Sequence, residues 1–213
     1  GGGCKNQACA SYSAVVGGQS NIASGACSFI GGGKCNLVSD TLSAVVGGIL
    51  NTASGACSFV GGGSNNCINV KDSVIGGGVF NRITNTGPCS VIVGGATNCV
   101  TGGCSAIVAG RFNNSTDDFT FVGGGFSNYV TNAYSFVGGG ECNCTSGLKS
   151  VIVGGSTNCV TTNASASAIV GGCLNCITDD HSSIVGGILN TASGACSFIG
   201  GGECNRTDKN YAS

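Results

Sequence analysis

Short apolar blocks alternate with glycine pairs along this chain at a fixed interval. Each block reads Ser-x-Val/Ile-Val/Gly, then Gly-Gly, then two variable residues and Asn, as in Ser13 to Asn21. Aligned on that asparagine, the chain presents Asn6, Asn21, Asn36, Asn51, Asn66, Asn81, Asn98, Asn113, Asn128, Asn143, Asn158, Asn175, Asn190 and Asn205. Every interval is 15 residues except two of 17, whose extra residues precede Ser90 and Ser167. Such a short internal period indicates a solenoid, in which each repeat buries its apolar residues only by stacking on its neighbours.

The blocks are too short and too glycine-rich for helices. They predict an all-β parallel β-solenoid of the β-roll type, with two short strands per rung and about 13 rungs over residues 1–213, read as one continuous repeat segment of a longer fibrous chain. The first strand is Ser-x-Val/Ile-Val/Gly; the second starts at the Asn. Gly-Gly-x-x forms one turn. The other opens on Gly, Asp or Asn in ten of thirteen rungs, which suggests a left-handed backbone there. The asparagines, and a serine column that includes Ser28, Ser43 and Ser58, are expected to stack as hydrogen-bonded ladders. At the usual strand spacing the stack would be a rod of roughly 60 Å.

The third position of the first strand is always Val or Ile: Val15, Ile30, Val45, Val60, Ile75, Ile92, Ile107, Val122, Val137, Ile152, Ile169, Ile184 and Ile199. That column is the predicted core. Positions two and four point the opposite way. There Phe always accompanies Gly (Phe29/Gly31, Phe121/Gly123), and Ala or Ser always accompanies Val (Ala44/Val46, Ser183/Val185). Volume trading of this kind implies limited space, so the second face is also expected to be packed, against something outside its own coil. A homotrimer or filament of side-by-side rolls is the predicted arrangement. A single solenoid wide enough for a layered core is the alternative.

The segment Ser13 to Ser28, with its Ser-Ala-Val-Val-Gly-Gly strand and Ala-Ser-Gly turn, resembles the head repeat of YadA-like trimeric autotransporter adhesins and the similar repeats of phage and large-virus fibres. The resemblance runs the length of the chain. It implies a left-handed parallel β-roll, trimeric association and a role in adhesion or in a virion fibre. Double and triple glycines, asparagine in place of alanine and abundant cysteine depart from the adhesin pattern.

Composition narrows the functions further. Only 8% of the 213 residues are charged and the net charge is −1, so no basic stripe exists for nucleic acid. No apolar run approaches the length of a membrane span. The 16 cysteines fall into repeat columns. Cys144, Cys159 and Cys176 follow the Asn in three successive rungs, and Cys89 and Cys104 precede the Ser in two, which makes these five candidate disulfide partners across rungs. The alternative is that cysteine serves there as a small apolar residue. Zinc is a weaker reading of Cys142-x-Cys144 and Cys173-x-x-Cys176, because repeat columns generate such spacings by default. His181, the one histidine, follows Asp179-Asp180 in a turn and has no specified nucleophile beside it. Sequons fall at Asn113, Asn114, Asn143, Asn163 and Asn205, three of them ladder positions.

These observations predict a structural fibre or stalk at an extracellular or virion surface, with no catalytic, cofactor or metal site. An adhesin that presents a receptor- or glycan-binding patch on the same scaffold is the second reading. Its local candidates are Arg111-Phe112, Tyr129 and Tyr134. An ice-binding solenoid ranks below both, because the column after the Asn (Ile22, Leu37, Thr52, Cys67, Arg82) is too irregular for a flat polar face.

Overall fold

The computed structural model describes residues 2–84 and 88–213. Two compact units, residues 1–109 and 110–213, divide the chain. In each, every 15-residue repeat closes one coil, and the coils form a parallel β-solenoid. The first unit holds seven strand pairs, from Gln7–Ala8 and Ala14–Val15 to Cys99–Val100 and Ala106–Ile107. The second holds six pairs, from Asn114–Ser115 and Phe121–Val122 onward, and a closing strand at Arg206–Thr207.

The strands are only two residues long, so pairing in register must carry the stability. Phe29 pairs with Ala44 and Ile30 with Val45; Leu37 pairs with Thr52 and Val38 with Ala53. Each amide donates to the next coil, as Phe29 N–H does to Ser43 C=O at 3.0 Å. Gly-Gly-x-x, read from sequence as a turn, also carries a third ladder of single-residue parallel bridges: Gln19 to Lys34, Lys34 to Ile49, Ile49 to Ser64.

The Val/Ile column lies inside as expected. Ile30 through Ile184 are fully inaccessible; Val15, in the first coil, is half-buried and Ile199 is 5% exposed. A second inner column faces it. Val38, Ala53, Ile68, Ile83, Val100, Val130 and their equivalents are also at 0%. The two columns fill the coil, and each fully buried Val or Ile contributes about 1.5–3 kcal/mol.

Both ladders form. Asn51 shows the geometry: its Oδ1 accepts from Asn66 N–H at 3.0 Å, and its Nδ2 donates to Gly47 C=O at 3.0 Å and to Gly63 C=O at 2.9 Å. One side chain thus satisfies three backbone groups in two coils, which is why no shorter or apolar residue replaces it. In the serine column, Ser43 Oγ accepts from Ser58 N–H and donates to Gly55 C=O. Thr120 takes the serine's place in the coil where Ser115 replaces an inner apolar residue, and the two hydroxyls hydrogen-bond to each other.

The left-handed corners are not where the sequence pattern suggested. The Gly/Asp/Asn position has an ordinary backbone. Asp and Asn stand there because the side-chain oxygen accepts the following amide, as in Asp40 with Thr41 N–H at 2.7 Å and Asn132 with Ala133 N–H at 2.9 Å. Gly stands there where the next coil closes in; a Cβ on Gly25 or Gly55 would lie 2.0 Å from a carbonyl oxygen. The positive φ angles fall instead at the second glycine of the Gly-Gly pairs, as at Gly48, and at the residues before the ladder Asn and the ladder Ser or Thr. Among the described residues 28 non-glycine residues have positive φ, all but Tyr211 at those two corners, among them Leu50 at 58° and Cys27 at 54°. Each such corner costs about 1–2 kcal/mol. Its amide is then aimed at the coil below, as in Leu50 N–H to Lys34 C=O at 2.9 Å.

The insertion before Ser167 bulges without breaking register, since Val151 still pairs with Ala168 and Cys159 with Cys176. Across the earlier insertion Val74 pairs with Val91; the turn residue Asn85 lies outside the described residues.

Candidate functional site

Positions two and four of the first strand form the outer face of their sheet. From one end of the repeat to the other these two columns contain no charged residue and a single polar one, Ser183. They are open to solvent: Phe29 is 39% exposed, Val46 49% and Val153 51%. A face of stacked, uncharged apolar groups is unusual on a lone soluble chain.

The Phe/Gly and Ala/Val trading that suggested a crowded interface has a cause within the coil. A Cβ on Gly31 would sit 3.4 Å from Phe29 Cε1 and 2.4 Å from the Val46 carbonyl oxygen. The ring lies over its own glycine. Where position two is small, Val at position four fills that space instead. The trade therefore levels the outer face within a single coil.

The other outward surfaces are mixed. On the second sheet the residue after the Asn varies from Arg82 to Cys99 to Tyr129, and the Ser/Thr column beyond it turns hydroxyls onto the next coil's carbonyls, as Ser54 does to Ile68 at 3.2 Å. A concavity of about 410 Å³ lies at the mouth of the last coil, lined by Phe198, Ile199, Asn205 and Arg206 among others. It is the coil interior seen end-on.

Aromatic side chains concentrate in one place. Seven of the chain's 13 Phe and Tyr residues lie between Phe112 and Phe136. Phe119 and Tyr134 stack at 5.0 Å on one corner, and Phe121 and Phe136 stack at 5.3 Å on the apolar face. Phe112 meets Phe126 edge-on at 5.8 Å, with the Arg111 guanidinium 4.7 Å above the Phe112 ring. Arg111, Phe112 and Tyr134, singled out from sequence, belong to these contacts. Tyr129 stands 44% exposed on the second sheet.

All sixteen cysteines are thiols in this structure. Cys144, Cys159 and Cys176 are brought into register on adjacent strands, whereas Cys89 and Cys104 occupy neighbouring exposed corners. Among the described residues no group of three or more metal-ligating side chains converges. Of the sequons, Asn113 and Asn143 are fully buried in the ladder, while Asn163 is exposed on the inserted bulge. No protein-family model matches the chain, and no curated protein matches it in sequence.

Proposed function

We propose that this chain is a structural fibre or stalk segment that associates with further copies of itself through the uncharged face of its first sheet. The carrying observation is that face: apolar and solvent-open in coil after coil, while charged residues such as Arg82, Arg111 and Glu141 project elsewhere. A second copy is the occupant that suits it. Only a partner with the same inter-coil repeat can match every step of a periodic surface, and self-complementary faces are the usual basis of homo-oligomers. The resemblance to trimeric β-roll fibres favours three chains, and a place at an extracellular or virion surface. No catalytic step is part of this reading.

The test is the mass of the particle in solution. Sedimentation or light scattering of the full chain is expected to give a multiple of 20.6 kDa. Replacing Val46, Val93, Val153 and Val185 by Lys should return it to the monomer, because each lysine would have to be desolvated in the contact. Native protein at 20.6 kDa across micromolar concentrations refutes the proposal.

The aromatic cluster supports a second reading, an adhesin patch on the same scaffold. Exposed stacked rings such as Phe119/Tyr134 are suited to the apolar faces of sugars or to a receptor side chain. Loss of glycan or cell-surface binding on Tyr134→Ala, with the oligomer intact, would favour it.

A further inference from the structure

The three ring pairs found among the described residues all span one step of the coil stack, from the coil of Asn113 to the coil of Asn128. They do so on three sides. Phe112 meets Phe126 beside the asparagine ladder, and Arg111 caps that pair. Phe119 stacks on Tyr134 beside the serine column, with the rings 5.0 Å apart and 5° from parallel. Phe121 stacks on Phe136 on the outer face of the first sheet, 5.3 Å apart and 4° from parallel.

The interior of the same coils is polar. Ser115 and Thr145 lie on either side of Val130 in the second inner column, and all three are fully buried. The Ser115 and Thr120 hydroxyls hydrogen-bond to each other, and Thr145 Oγ1 has no partner. The first inner column is also thinner here. It carries Val122 and Val137, where the later coils of the unit carry Ile152, Ile169, Ile184 and Ile199. A fully buried Val is worth on the order of tenfold to a hundredfold in stability, and a buried hydroxyl pair supplies no such apolar burial. A ring pair is worth about 2- to 13-fold beyond the area it covers. Three pairs on one step together reach about tenfold or more, the size of the deficit.

We propose that the rings are a strap: they hold closed from outside the step whose interior is too polar to hold itself, and the coil stack of this unit opens there when the strap is released. Opening breaks the backbone bonds that cross the step, among them Asn114 N–H to Asn128 C=O and Thr116 N–H to Val130 C=O, each 2.9 Å. Local opening of this kind is set by the contacts of the coils involved, not by the stability of the whole chain. The inference rests on neither the fibre reading nor the adhesin-patch reading. A ligand surface made of the same rings would need no polar interior beneath it and no pairing across a single step.

The test is amide hydrogen exchange of the full chain, read by mass spectrometry on short overlapping peptides. The amides of Asn114 and Thr116 report on the strapped step. Those of Cys159 and Thr161, which donate to Asn175 and Ile177 across an aliphatic step of the same unit, are the reference. Tyr134→Ala should speed exchange at Asn114 and Thr116 about tenfold and leave Cys159 and Thr161 unchanged. Adding Ser115→Val with Thr120→Ser gives this coil the pattern of Val130 and Ser135 in the next, and should return exchange to about the wild-type rate. Equal acceleration at both places, no acceleration at the strapped step, or no recovery with the interior substitutions overturns the proposal. Phe119→Leu removes the same ring pair but keeps an apolar side chain, and is read in the same way if Tyr134→Ala does not fold.

Discussion

The two glycines in each Gly-Gly pair look equivalent in sequence, yet the structure gives them opposite tolerances. A Cβ on Gly48 would lie 2.1 Å from Gly63 O, 2.9 Å from Gly63 N and 2.6 Å from Asn51 Nδ2, at a φ of +90°. To reach ordinary contact distance the two coils must part by about 1 Å locally. That disrupts the Asn51 Nδ2 bonds to Gly47 and Gly63, at about 1 kcal/mol each, more if the carbonyls stay buried and unpaired. The left-handed backbone adds about 1–2 kcal/mol for an L-residue. Gly48→Ala is therefore expected to cost about 4 kcal/mol. A Cβ on Gly47 meets nothing within 4 Å, and Ala109 occupies the equivalent position in another coil. Gly47→Ala should be neutral, or stabilising by a few tenths of a kcal/mol through the unfolded chain. Urea unfolding followed by far-ultraviolet circular dichroism measures both. Equal costs for the two substitutions would refute the stacking geometry from which these numbers come.

Other expectations follow from single side chains. Asn51→Ala leaves the Asn66 amide and two glycine carbonyls without partners, and should destabilise by about 3–5 kcal/mol in the same assay. Thr145 Oγ1 is buried without a partner between Val130 and Val160, so Thr145→Val should stabilise by about 1–2 kcal/mol; a loss of stability would mean the hydroxyl is satisfied. Because Cys176 is lowered to about 7 and Cys144 is raised, iodoacetamide labelling of Cys176 should climb through neutral pH while Cys144 stays inert. Labelling of both with one pH profile contradicts the opposite shifts of the two thiols. If the chain is glycosylated, Asn163 should carry the sugar and Asn143 none, as glycopeptide mapping would show.

The period of the chain determined much by itself. A 15-residue interval, an invariant Asn and an invariant Val/Ile are enough to place coils one above another, because a strand this short finds its hydrogen-bond partners only in its own repeat. The inner Val/Ile column, the asparagine ladder and the in-register cysteines were legible for that reason. Tertiary structure decided what depends on close approach between coils. No composition rule points to Leu, Tyr or Cys at left-handed corners; those residues take that backbone because their amides must reach the coil below. The Gly/Asp/Asn turn position looked left-handed from residue type alone, but its residues answer to a neighbouring carbonyl or cap an amide. Phe29 and Gly31 co-vary because the ring lies over the glycine of its own coil, and a pattern of letters cannot distinguish that from packing against a partner.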